Sequence, residues 1–191
     1  MEVKAWIGNL GMYNEGVLMG EWVTLPIDEE EQNELFKRIG MDYVDEDGEL
    51  VKTGYEEYYI GDYDSDYTAE LNMYDRFGTY TSIEDLNEFA EKLEDWEWAC
   101  HRVGHDPDIL LVAISQYSSD LEGELDGDPG DWTLRRDIKS LEEYGKMLVY
   151  EYNSITLSDD AAIYFDFELY GKDQAKLADG TLTDYGWLER L

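Results

Sequence analysis

Residues 2–10 alternate, with Val3, Ala5 and Ile7 on one side and Glu2, Lys4 and Trp6 on the other. A period of two marks a strand with one buried face. Residues 17–25, VLMGEWVTL, read as a second strand, and the connection LGMYNEG between the two holds Asn14 and Gly16. Such residues reverse a chain easily, so an antiparallel pair is expected. A helix is predicted to start at Asp28, the N-cap, with Glu31 as its capping-box partner. Leu35, Phe36 and Ile39 form its apolar stripe, and Gly40 stops it. Residues 55–61, YEEYYIG, read as a third strand.

The period then changes. Over 82–118, Ser82 is a cap, and Ile83, Leu86, Phe89, Ala90 and Leu93 recur at helical spacing. Glu84, Asp85, Glu88, Glu91 and Glu94 lie off that face, with Glu84, Glu88 and Glu91 in one row. Gly104 ends the helical stretch, and Asp106 and Pro107 open another as N-cap and first helical residue. The segment 119–131, SDLEGELDGDPGD, has six acids, three glycines and a proline, and reads as a linker or exposed loop. Ser140 and Glu143 form another capping box, with Leu141, Tyr144, Leu148 and Tyr152 as the buried stripe. A further helix is expected from about Asp159 to Tyr170 with Gly171 as its stop, and 179–187 suggests a closing hairpin. The pattern predicts an α+β fold, elongated, in three small modules. These are an α+β module over 1–62, a helical one over 63–118 and an α+β one over 119–191.

Charge changes the picture most. The chain has 47 Asp plus Glu against 14 Lys plus Arg, a formal net charge of −33 in 191 residues. Acidic disordered tails reach such densities but lack aromatics, whereas 14% of residues here are aromatic and 43% hydrophobic. A folded body that stays this acidic works against its own repulsion, which suggests a use for the charge. Such a surface is repelled by nucleic acid and by anionic membranes, so the expected partner is basic. A protein whose ordinary ligand is DNA fits that description. Duplex DNA carries two phosphates per base pair, so −33 matches about 16 base pairs, or roughly 55 Å of duplex. A compact globule of this length has a diameter of roughly 42 Å. Matching DNA would therefore favour an elongated body.

The densest acidic tract runs from Asp42 to Glu70, with eleven acids, one lysine and six interleaved tyrosines. One cysteine, Cys100, cannot form an internal disulfide and reads as a small core residue, which fits a reducing cytoplasm. The sequence opens without the basic start and apolar stretch of a signal peptide, and the longest apolar run, Ile109 to Ile114, is far too short to span a membrane. The chemistry of catalysis is thin. No nucleophile elbow, phosphate loop or zinc cluster is present. His101 and His105 sit four apart without an HEXXH context. Asp62, Asp64 and Asp66 copy three EF-hand ligand positions, but Tyr67 stands where Gly is required and Met73 where Glu is. No enzyme activity, metal or cofactor is called for.

Trp6-Ile7-Gly8-Asn9-Leu10-Gly11-Met12-Tyr13-Asn14-Glu15-Gly16, followed by Gly20-Glu21-Trp22-Val23-Thr24-Leu25-Pro26, resembles the opening of the ArdA family of antirestriction proteins. Glu56-Glu57-Tyr58-Tyr59-Ile60-Gly61-Asp62-Tyr63-Asp64, Ile83-Glu84-Asp85-Leu86-Asn87 and Tyr170-Gly171-Lys172-Asp173 resemble later family segments in the same order. The loop 42–54 and the acidic 119–131 segment depart from the family pattern.

The resemblance implies an elongated, three-module homodimer from a mobile genetic element. It implies a mimic of bent B-form DNA that occupies the DNA-binding groove of type I restriction-modification enzymes, at their methyltransferase core. Asn9, Gly11, Asn14 and Gly16 are expected to hold a turn, and Trp22 and Pro26 to be core and strand-end residues. The DNA-mimic surface is expected to comprise Asp45, Glu46, Asp47, Glu56, Glu57, Asp62, Asp64, Asp66, Glu70, Glu84, Glu88 and Glu91, with Asp120, Glu122, Glu124, Asp126, Asp128 and Asp131. An acidic module for another basic protein, such as a histone-like factor or a CRISPR effector, is the alternative. A calcium-dependent binder or enzyme is a third reading.

Overall fold

The computed structural model describes residues 2–66 and 71–191. The fold is α+β, with helices and small antiparallel sheets. Two compact units divide the chain, one up to Asp95 and one from Trp96 on.

In the first unit, β1 (Val3–Asn9) is the centre of a three-stranded sheet, between β2 (Gly20–Leu25) and β5 (Tyr58–Ser65). Both pairings are antiparallel. Alternation decides the faces, as the sequence predicted: Val3, Ala5 and Ile7 are buried with Val23, Leu25 and Ile60. Helix α1 (Leu10–Asn14) occupies the first connection. Asp28 caps α2 (Glu29–Arg38) by accepting from the Glu31 N–H at 2.8 Å. Leu35 and Ile39 of that helix region enter the core, and Gly40 follows at φ +76°, a conformation that favours glycine.

Three expectations for this unit are corrected. The third strand runs Tyr58–Ser65 rather than 55–61, because the in–out alternation continues through Asp62, Tyr63 and Asp64. The 42–54 loop holds a short hairpin, β3 (Tyr43–Val44) with β4 (Leu50–Val51). Trp22 is not a core residue: it is 45% exposed, since its parity on β2 opposes that of Val23 and Leu25.

Helix α3 (Met73–Phe77) follows, then α4 (Ile83–Val103), along which the division of the chain falls. The Ser82 hydroxyl caps α4 from the Asp85 N–H, and Ile83, Leu86, Phe89, Ala90 and Leu93 are all buried. Gly104 stops it at φ +84°. Asp106 then caps α5 (Pro107–Tyr117) with proline in its first turn.

In the second unit, β6 (Trp132–Arg135), β8 (Gly186–Arg190) and β7 (Gly180–Thr183) form an antiparallel sheet in that order. The expected closing hairpin is β7–β8. Ile138, Tyr144, Met147 and Trp187 make a core cluster, with the Tyr144 and Trp187 rings stacked at 3.8 Å. Burial pushes the Tyr144 hydroxyl up to about 12.

The segment 119–131 is structure, not linker. Leu121 and Leu125 stand one helical turn apart on α6 (Leu121–Leu125) and are buried, as is Pro129 in the 3-10 turn Pro129–Asp131. The expected Asp159–Tyr170 helix is two helices, α8 (Asp159–Ala162) and α9 (Phe167–Ala175), the second with its own cap at Asp166. Gly171 lies inside α9 rather than ending it. Ser140 caps α7 (Leu141–Tyr150) as predicted, but Tyr152 lies beyond the helix and is 60% exposed. Among the described residues, no helix is long and apolar enough to cross a membrane.

Candidate functional site

The predicted acidic surface is best built element by element. In the β3–β4 hairpin, the Asp45 carboxylate folds back to accept from the Asp47 and Glu49 N–H groups at 3.0 and 2.9 Å. That clamp leaves Glu46 and Asp47 exposed at the tip. Asp42, at the base, accepts from the Thr53 N–H at 2.7 Å, the Thr53 hydroxyl and the Gly54 N–H. These bonds, the Thr53 N–H above all, hold its carboxyl below the usual carboxylate range. Glu56 and Glu57 are exposed just before β5.

On β5 a period of two carries Asp62 and Asp64 outward, and Asp66 follows in the turn. The Asp66 carboxylate accepts from the Glu2 N–H at 3.3 Å. Lys4 lies opposite Asp64 in the ladder. Its ammonium is held protonated more firmly by Glu2 first, then by Asp64 and Asp66. Asp62 and Asp64 lie in a line along one face of an extended strand and Asp66 in the turn after it, so the loop does not wrap around one point as an EF-hand loop must. Among the described residues, no group of three His, Cys, Asp or Glu is arranged to hold a metal ion. Glu70 and Tyr67 lie outside the described residues.

Glu84, Glu88 and Glu91 share one exposed face of α4. They line a groove of about 590 Å³ together with Glu29 and Gln32 of α2, and with Ile27, Tyr58 and Ile83. Two polar anchors build it. The Asn87 amide donates to the Ile27 carbonyl at 2.7 Å and accepts from the Ile27 N–H at 3.0 Å. The Tyr58 hydroxyl accepts from the Ile83 N–H at 2.9 Å. α4 is thereby pinned beside the start of α2, and carboxylates from two helices face one groove.

In the second unit the predicted acids divide by role. Asp120 caps α6 from the Gly123 N–H, and Asp128 caps the 3-10 turn from the Gly130 N–H. Both remain exposed, as do Glu122, Asp126 and Asp131. Glu124 differs: its side chain is 14% exposed and is ion-paired with Arg190, whose guanidinium also lies 4.5 Å from the Trp132 ring centroid. Most of the other described ion pairs take carboxylates outside the predicted set, such as Arg38 with Glu21 and Arg135 with Asp137 and Glu151. Among the described ion pairs, the cations thus mostly meet carboxylates outside the predicted surface.

Sequence reasoning missed an aromatic cluster on the outward face of the first sheet. Trp6 and Trp22 are register partners across β1 and β2, and Tyr59 meets Trp6 edge-on at 5.7 Å and Tyr13 at 5.1 Å. The available signal was Trp6 itself, an apolar residue on the polar side of an alternating strand.

A search of curated proteins found no match. The profile of the family described as "Antirestriction protein (ArdA)" matches residues 5–189. That span covers nearly the whole chain, reaches into both units and takes in every predicted acidic position, and the chain belongs to the ArdA family of antirestriction proteins.

Proposed function

We propose that this chain is a DNA mimic, acting in the cytoplasm as a homodimer, that inhibits type I restriction-modification enzymes by occupying the DNA-binding groove of their methyltransferase core. The observation that carries the reading is a net charge of −33 on a folded member of an antirestriction family. Exposed carboxylates would stand where phosphates stand. Along α4, residues three and four apart are spaced by about 4.5–6 Å of helix rise. Each strand of DNA carries a phosphate per about 3.4 Å of axis, a spacing of the same order. The mechanism is competition, with no bond made or broken. Phosphate-type contacts position a ligand without selecting sequence, so one acidic surface would serve against enzymes of different recognition sequence.

A gel-shift competition tests the reading. Labelled target DNA bound to a type I methyltransferase core should be released by stoichiometric inhibitor. DNA that stays bound at saturating inhibitor would sink it.

A further inference from the structure

The aromatic cluster on the first sheet is constructed in a way that packing alone does not require. Trp6 stands opposite Trp22 on β2 and Asp62 on β5. Its indole lies over glycines from all three strands: a Cβ at Gly8, Gly20 or Gly61 would come within 2.5, 2.4 or 2.5 Å of its ring atoms. Glycine inside a strand weakens it and often marks a close approach, and here three surround one ring. Gly61 sits where the β1–β5 register shifts, which is where a bulge re-aims side chains. The ring is therefore kept flat on the sheet. In the cluster Tyr13 is 55% and Trp22 45% exposed, whereas Tyr59 is buried.

Charge limits what covers this face. Asp62 stands on it opposite Trp6 and Asp64 opposite Lys4, and a two-fold contact of this face with itself would set the Asp62 and Asp64 of one copy against those of the other, which repulsion opposes at this face. A guanidinium satisfies both features, because it is planar, weakly hydrated, stacks on indole and phenol rings and pairs with carboxylates. An ammonium is more strongly hydrated and fits the rings less well. We propose that the outward face of the N-terminal sheet is a docking plate for an arginine-bearing surface of the partner protein. Trp22, Tyr13 and the half-buried Trp6 form its bed, with the buried Tyr59 supporting Trp6 and Tyr13 from below, and Asp62 and Asp64 form its flank. The inference rests on the reading of the chain as a ligand for a basic groove, and it names what part of that groove this face meets.

Hexa-arginine and hexa-lysine peptides of equal charge separate stacking from plain attraction. Titrated into the full chain at one ionic strength and followed by tryptophan fluorescence, hexa-arginine should bind about fivefold more tightly. The double substitution Trp22→Ala with Tyr13→Ala should remove the preference while leaving the urea midpoint close to wild type, and Trp22→Tyr should retain part of it. Equal affinities in the wild type, or a preference that survives the double substitution, would overturn the plate. So would a wild type that shows no preference and a Trp22→Ala variant that converts a dimer to a monomer, since the face would then be a self-interface. The peptides involve no restriction enzyme. Equal peptide affinities alongside successful DNA competition therefore reject the plate alone, whereas failed competition rejects the mimic reading.

Discussion

Asn9 is fully buried, and its side chain is bonded at both ends. Its Oδ1 accepts from the Met12 N–H at 3.0 Å, and its Nδ2 donates to the Ile39 and Gly40 carbonyls at 3.2 Å each. One side chain thus caps α1 and holds the end of α2 against the sheet. Asn9→Ala should destabilise the fold by about 1–3 kcal/mol, the usual cost of leaving buried polar groups unpaired. Urea unfolding measures this, and a loss below about 0.5 kcal/mol would mean that water replaces the amide. The local half of Asn9's role, holding a turn, was legible from the Asn-Leu-Gly context. The other half, a contact made thirty residues away, was not. Cys100 is the second case at this scale. Burial, with Asp106 and Glu97 adding to it, pushes its thiol up to about 12. Only the thiolate reacts, so at pH 8 about one thiol in ten thousand is in the reactive form. A thiol-reactive dye should label the native protein very slowly and the urea-unfolded protein at an ordinary rate. Fast native labelling would contradict the burial.

Helices α7 and α9 meet through two glycines. A Cβ at Gly145 would come within 2.1 Å of the Phe167 carbonyl oxygen, and one at Gly171 within 1.9 Å of the Leu141 carbonyl oxygen. Backbone approaches backbone here, so no side-chain rotation relieves an added methyl. Gly171→Ala should destabilise the second unit by about 1–3 kcal/mol despite the better helix propensity of alanine. If the thermal midpoint rose instead, propensity would have won and the close crossing would not matter. Local chemistry made the caps at Asp28, Ser82, Asp106 and Ser140 legible, because a cap joins residues three apart. The helix crossing was not legible, because Gly171 at the end of an apolar pattern looks the same whether it stops a helix or admits another. The 119–131 segment failed for a related reason. Its glycines and aspartates outweighed Leu121 and Leu125, whose i, i+4 spacing behind the cap at Asp120 was a helical signal.

At the scale of the whole molecule, the acidic inventory was readable because Asp and Glu are almost never buried unless paired. What the sequence hid were the pairings that remove some of them, such as Glu124 with Arg190. Energetics follow from the number of charges rather than from any one. Exposed pairs are worth about 0–1 kcal/mol each. Asp62→Asn, Asp64→Asn or Asp66→Asn alone should therefore weaken inhibition little, and the combined replacement of many carboxylates should abolish it. A single substitution that removed all inhibition would point to a local hot spot instead. Salt acts on the same sum twice. With −33 on 191 residues, self-repulsion lowers stability at low ionic strength, and monovalent salt screens it over a Debye length of about 10 Å at 0.1 M. The melting temperature should rise as salt is added through that range. Affinity for a basic groove should fall over the same range, because the attraction is screened by the same ions. Melting curves and binding titrations on one salt series give both slopes. Stability that falls with salt would show that repulsion does not limit this fold. Affinity that is flat with salt would show that the carboxylates are not what binds.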